Sequence, residues 1–209
     1  MYLPTHFKQE NLPELFDLIE QHSLASVIVT HDGKIEANHI PLELDSTQGE
    51  LGVLKGHIAK ENPLFEILDH PVSAYVIFQA EQAYISPNGY AGKHEHHRVV
   101  PTWNYRVVHV KGMIRKVTDE KHLRGILARL TRQHEAAQPM PWKMGDAPED
   151  FMRDQLSKIA AVEIEIISMV GKFKVSQNRT KPDAEGAAQA LEQSHPEMSQ
   201  SIRRHFPEQ

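Results

Sequence analysis

Residues 25–44 read ASVIVTHDGKIEANHIPLEL, and this stretch decides the fold class. Ala25–Thr30 is rich in β-branched residues, which favour a pleated strand over a helix. Asp32-Gly33 follows, the dipeptide that best supports a tight hairpin turn. Ile35–Leu44 then returns as a second strand. A hairpin this early, with a short connection, points to an antiparallel sheet rather than repeated βαβ units.

Working outward, the same pattern recurs. Leu51–Ala59 reads as a strand after the polar DSTQGE loop. Val72–Gln79 and Gln82–Ser86 read as two strands around a polar Ala80-Glu81 break. Arg98–Val100 and Asn104–Val117 are strand-like, and Val162–Met169 alternates, with Val162, Ile164 and Ile166 on one face and Glu163 and Glu165 on the other. Helices frame these strands. Asn11 and Glu14 form a capping pattern before the Leu12, Leu15, Phe16, Ile19 stripe. Asn62-Pro63 opens a short apolar helix. Thr118 or Asp119 caps a helix with the apolar face Leu123, Ile126, Leu127, Leu130, and Glu149–Ala160 is expected to be helical. Gln138–Pro148 is a proline-rich loop. The expectation is an α+β, mainly β fold in one domain over 1–209, with residues 183–206 as a helical C-terminal tail broken near His195-Pro196.

Composition narrows the function classes. The 209 residues contain no cysteine, which excludes disulfides, thiolate metal sites and cysteine nucleophiles. Hydrophobic residues make up 40% and charged residues 24%, a globular balance. The net charge of −5 argues against a strongly basic nucleic-acid binder. Protonating the 14 histidines would reverse its sign. No apolar run reaches bilayer-spanning length and no secretory pattern opens the chain, so a cytoplasmic location is expected.

Three segments carry candidate binding chemistry. Tyr84–Tyr105, YISPNGYAGKHEHHRVVPTWNY, concentrates hydroxyls, cations and aromatics, which suits a planar anion. Its bland reading is a solvated loop anchored by Trp103. Gly56–Pro63 ends a strand where a helix begins and carries Lys60, a second candidate anion site. Gly171–Asn178 places two lysines, a serine and two amides after a strand. Its bland reading is an edge strand guarded by lysines. His94, Glu95, His96 and His97 invite a metal, but neighbours in an extended segment point to opposite faces. We read them as a solvated polar loop and assign no metal. Asn88-Gly89 favours a turn with positive φ. There is no Walker A sequence, G-x-G-x-x-G or G-x-S-x-G, and no convincing helix-turn-helix.

The segments Met1-Tyr2-Leu3-Pro4 with His6-Phe7, Asn38-His39-Ile40-Pro41, Gly56-His57-Ile58-Ala59-Lys60 with Asn62-Pro63, Tyr84-Ile85-Ser86-Pro87, Val99–Tyr105 (VVPTWNY) and Gly171-Lys172-Phe173-Lys174 with Ser176-Gln177-Asn178 occur in the order found in one family. The chain resembles the PaiB family of FMN-binding split-barrel proteins across nearly its whole length. The resemblance implies a split β-barrel like that of pyridoxamine-phosphate oxidases, with flanking helices. It also implies a homodimer with FMN in a cleft, and a role as a negative transcriptional regulator of sporulation and degradative-enzyme genes, with direct DNA binding left open. A flavin-dependent oxidoreductase is the alternative, and a haem-binding or haem-degrading protein, with His205 as an axial ligand, the second.

On this resemblance the site residues would be His57, Lys60, Asn62, Ser86, Lys93, Thr102, Trp103, Asn104, Lys174, Gln177 and Asn178. Lys60, Lys93 and Lys174 would meet phosphate, and Ser86 and Thr102 would donate to phosphate or ribityl oxygens. Trp103 and Asn104 would lie near the isoalloxazine ring, with Gln177 and Asn178 at its polar edge. No catalytic residue is named by the sequence.

Overall fold

The hairpin forms as its sequence dictates. A computed structural model describes residues 1–206. In it Asp32 and Gly33 take φ of 49° and 72°, the pair of positive values a type I′ turn needs. Naming strands in chain order, β1 is Lys8–Gln9, β2 Leu24–His31, β3 Lys34–Pro41, β4 Glu43–Asp45 and β5 Val53–Ala59. The long strands are β6 Val72–Ile85, β7 Thr102–Val117 and β8 Ile159–Lys174. The sheet order is β3-β2-β6-β7-β8-β5-β4, with β1 beside β8. Register is set by pairs such as Val27↔Asn38 on β3, Val27↔Val76 on β6 and Lys8↔Lys172 on β8. The mainly antiparallel sheet with flanking helices agrees with the α+β, mainly β split-barrel expectation.

The helices are α1 Leu12–Gln21, α2 Pro63–Ile67, α3 Ala91–His96, α4 Glu120–Glu135, α5 Glu149–Ser157, α6 Lys181–Leu191 and α7 Pro196–His205. Asn11 Oδ1 accepts from Glu14 N at 3.2 Å as expected, and of the two candidates Thr118 and Asp119 it is Asp119 that caps α4, its Oδ1 accepting from His122 N at 2.7 Å. The tail is helical and breaks between Leu191 and Pro196. Among the described residues no helix is long and apolar enough to cross a membrane.

The chain divides into two compact units. One comprises Met1–Leu18, Gln79–Val108 and the described residues from Val170 on; the other comprises Ile19–Phe78 and His109–Met169. The first unit has its own core, in which Ile85, Tyr90 and Val175 pack with Ala184, Ala188, Met198 and Ile202 of α6 and α7. In the second, Leu123, Ile126 and Leu130 of α4 pack with Leu156 and Ala161.

Several boundaries differ from the sequence reading, each for a local reason. The expected strand Ile35–Leu44 is interrupted after Pro41, which has no N–H to extend the ladder. β6 runs unbroken through Ala80-Glu81, because Glu81 is a buried partner of Arg106 rather than a turn residue. Arg98–Val100 forms no strand. The His94–His96 segment is helical, not extended. The backbone N–H of Gly92 in α3 donates to the buried Asp183 carboxylate at 2.8 Å, which anchors that turn. On the face opposite Val162 and Ile164, Glu163 is only 5% exposed, since Arg115 and His122 both reach its carboxylate. Gly89 lies in a 3-10 turn and has no positive φ. Glycine is required there by proximity: a β-carbon would stand 2.8 Å from the Gly186 carbonyl oxygen.

Candidate functional site

The first unit brings the start of β7 against the end of β8. On a strand, residues two apart share a face, so Lys172 and Lys174 share one. The Lys174 ammonium donates to Thr102 Oγ1 and to the carbonyl oxygen of Trp103. The Lys172 ammonium donates to the Tyr2 carbonyl oxygen at 3.2 Å and lies 5.3 Å from the Tyr105 ring centre. Lys172 is only 8% exposed, so the edge-strand picture of two solvated lysines does not hold. Arg179 adds a third cation, 4.9 Å over the Tyr90 ring.

These charges are not neutralised. Among the described residues no carboxylate forms an ion pair with Lys172, Lys174 or Arg179. Burial, then the neighbouring Lys172 and Arg179 charges, hold the Lys174 ammonium below its ordinary pKa. Grouped cations without a counter-ion raise the energy of the empty site, and an anion relieves it.

Beside the cations stands an aromatic pair. Trp103 is 54% exposed, and its ring meets Tyr84 edge to face with centroids 6.0 Å apart. Asn104, buried, donates from Nδ2 to Ser176 Oγ at 2.8 Å. Its Oδ1 is buried without a hydrogen-bond partner in the described structure. Ser176 holds a φ of 70°, an unusual conformation for a non-glycine residue. This tight turn leads from β8 towards α6.

Ser86, Lys93, Thr102, Trp103, Asn104, Lys174, Gln177 and Asn178 therefore all belong to the first unit, but their roles divide. Thr102 and Lys174 touch directly. Ser86 Oγ caps the 3-10 turn by accepting from Asn88 N at 3.2 Å, and the Lys93 ammonium is held by Asn88 Oδ1. The Gln177 amide is engaged with its own strand, accepting from Val175 N and donating to the Phe173 carbonyl. Asn178 is exposed.

His57, Lys60 and Asn62 belong to the second unit. His57 lies on β5 opposite Ala161 of β8. Its Nδ1 is buried without a partner, and burial lowers its pKa. Lys60 is exposed beyond the strand end. Asn62 caps α2, accepting from Leu64 N at 2.9 Å and donating from Nδ2 to Asn38 Oδ1 at 2.7 Å. Lys172, Ser176 and Tyr84 lie within the candidate segments without being named as site residues, and Arg179 lies outside them. The i, i+2 spacing of Lys172 and Lys174 was the available signal; the others depend on packing between distant segments.

The ordered motifs and this geometry agree with comparison to known proteins. Residues 1–168 match the family described as "Putative FMN-binding domain". The chain belongs to that family. It is 28% identical over 183 residues to "Protease synthase and sporulation protein PAI 2" of Bacillus subtilis, covering 88% of this chain and 85% of that protein. It is 31% identical over 189 residues to an uncharacterized protein, AN0679, of Emericella nidulans, covering 76% and 75%. Among solved structures, the FAD and heme binding protein from Mycobacterium smegmatis superposes with a TM-score of 0.60 at 18% identity, over 80% of this chain and 73% of that one. That last likeness is one of fold.

Proposed function

We propose that this protein is a cytoplasmic, homodimeric FMN-binding regulator. The observation that carries the flavin reading is the uncompensated Lys172–Lys174 pair beside the exposed Trp103–Tyr84 aromatic pair. Charge wants an anion and the aromatic surface wants a flat ring, and FMN supplies both. The residues present fit the group on a second count: Asn104 Oδ1 is a buried acceptor without a donor.

In this reading Lys172 and Lys174 take phosphate charge, and Thr102, already hydrogen-bonded to Lys174, orients the ammonium. Trp103 and Tyr84 cover the ring. Asn104 accepts a hydrogen bond while Ser176 fixes its amide. Bound flavin supplies electron transfer, and the protein supplies position and electrostatics.

The regulatory role rests on the PAI 2 relative, whose name links it to protease synthesis and sporulation. A net charge of −5 favours action through a small molecule or protein partner over direct DNA contact. The test is an absorption spectrum of the purified protein followed by titration with FMN. Flavin bands, or saturation near one FMN per chain, support the reading; a colourless protein that ignores FMN overturns it.

A further inference from the structure

The first unit contains a cavity of about 370 Å³ outside the flavin assignment. Its lining combines apolar residues with side chains of opposite charge. Phe173 of β8 and Val175 just beyond it line the cavity together with Glu14 of α1 and Ser201 and Arg204 of α7. Arg106 lies over the Phe173 ring at 5.1 Å and also faces the cavity.

Arg106 and Ser201 are fixed from behind. Both bond to Oε1 of Glu81, whose side chain is 6% exposed. Arg106 is thus neutralised and held in place. Glu14 and Arg204 are different: among the described residues neither forms an ion pair, although they line the same space with opposite sign. A ligand carrying both an ammonium and a carboxylate would bridge them, while its apolar part covers Phe173 and Val175. The volume falls in the lower range of small-molecule sites.

We infer that this cavity is a binding site for a free amino acid with an apolar side chain. Its ammonium meets Glu14, its carboxylate meets Arg204 and the outer guanidinium nitrogens of Arg106, and its side chain rests on Phe173 and Val175. A regulator needs an effector, and this site would provide one independently of flavin.

The test is calorimetric titration of the full-length protein with L-leucine and L-phenylalanine. Two leucine analogues, 4-methylpentanoate and 3-methylbutylamine, each lack one charged group. The expected result is binding of at least one amino acid, at least tenfold tighter than either analogue. Glu14→Gln should weaken amino-acid binding at least tenfold while leaving 4-methylpentanoate unchanged. Arg204→Met should weaken it equally while leaving 3-methylbutylamine unchanged. Both side chains line the cavity outside the buried core, and circular dichroism verifies that each variant folds. Absence of binding by both amino acids, or one-armed analogues binding as tightly as leucine, overturns the proposal.

Discussion

Gly186 in α6 lies directly against the Gly89 backbone, so that a β-carbon on Gly186 would collide with the Gly89 carbonyl oxygen. The two glycines let α6 dock on the Pro87–Gly89 turn that leads into α3. Gly186→Ala should therefore push the helix away and lower stability by about 1–3 kcal/mol, read as a shifted midpoint in urea unfolding. Gly125→Ala is the contrast. Its β-carbon would meet nothing closer than Arg129 Nη1 at 3.6 Å, and removing a glycine from the interior of α4 should stabilise by about 0.5–1 kcal/mol. Equal effects from the two substitutions would contradict the docking account.

That close approach also shows where sequence reading stops. The Asp32-Gly33 turn, the Asn11 and Asp119 caps and the broken helical tail were legible because each is written within a few residues. Asn88-Gly89 used the same local grammar and misled, since its glycine answers to Gly186, nearly a hundred positions later. Glu81 and Glu163 looked like a break and a polar face. Each is instead buried by cations from other strands or helices, and no local pattern records a distant arginine. The candidate site was legible as motifs, VVPTWNY and GKFKVSQN. The division of labour inside them, with Gln177 bound to its own strand and Lys172 buried, required the fold.

Asp45 and Lys55 form a pair across the β4–β5 ladder, 2.7 Å apart, with the lysine side chain almost fully buried. Lys55 first, then Thr47, holds the Asp45 carboxyl well below the usual carboxylate range. The unfolded chain takes this proton at about pH 3.9. The pair's stabilisation is thus whole above that pH and is lost as pH falls further towards the folded value. Asp45→Asn should leave Lys55 uncompensated and cost about 3–5 kcal/mol. Asp45→Asn with Lys55→Met should recover most of that loss in thermal unfolding; a double variant as unstable as the sum of the single ones would refute the pairing.

His57 gives a second pH signature. Burial lowers its folded pKa, while the unfolded imidazole titrates at about 6.5. Between those values the unfolded state binds more protons, so stability is full above about pH 6.5 and declines as pH falls towards the folded pKa. His205 is shifted in the same direction and adds to the slope. His57→Gln should flatten the pH dependence of the unfolding free energy in this window, with less effect above it. An unchanged slope would mean that the imidazole is not desolvated in the folded protein.

Lys174 separates binding from stability most sharply. Its ammonium is crowded by Lys172 and Arg179 and is partly desolvated, so Lys174→Met removes a repulsive charge from the ligand-free protein. The substitution should leave stability unchanged or slightly raised, while weakening FMN binding more than tenfold, about 1.4 kcal/mol or more. Lys93 is held by Asn88 and caps no such cluster, so Lys93→Ala should weaken FMN less. Binding of riboflavin, which lacks the phosphate, should respond little to either change. If Lys174→Met weakens riboflavin and FMN equally, the lysine acts on the ring or on folding, and the phosphate assignment fails.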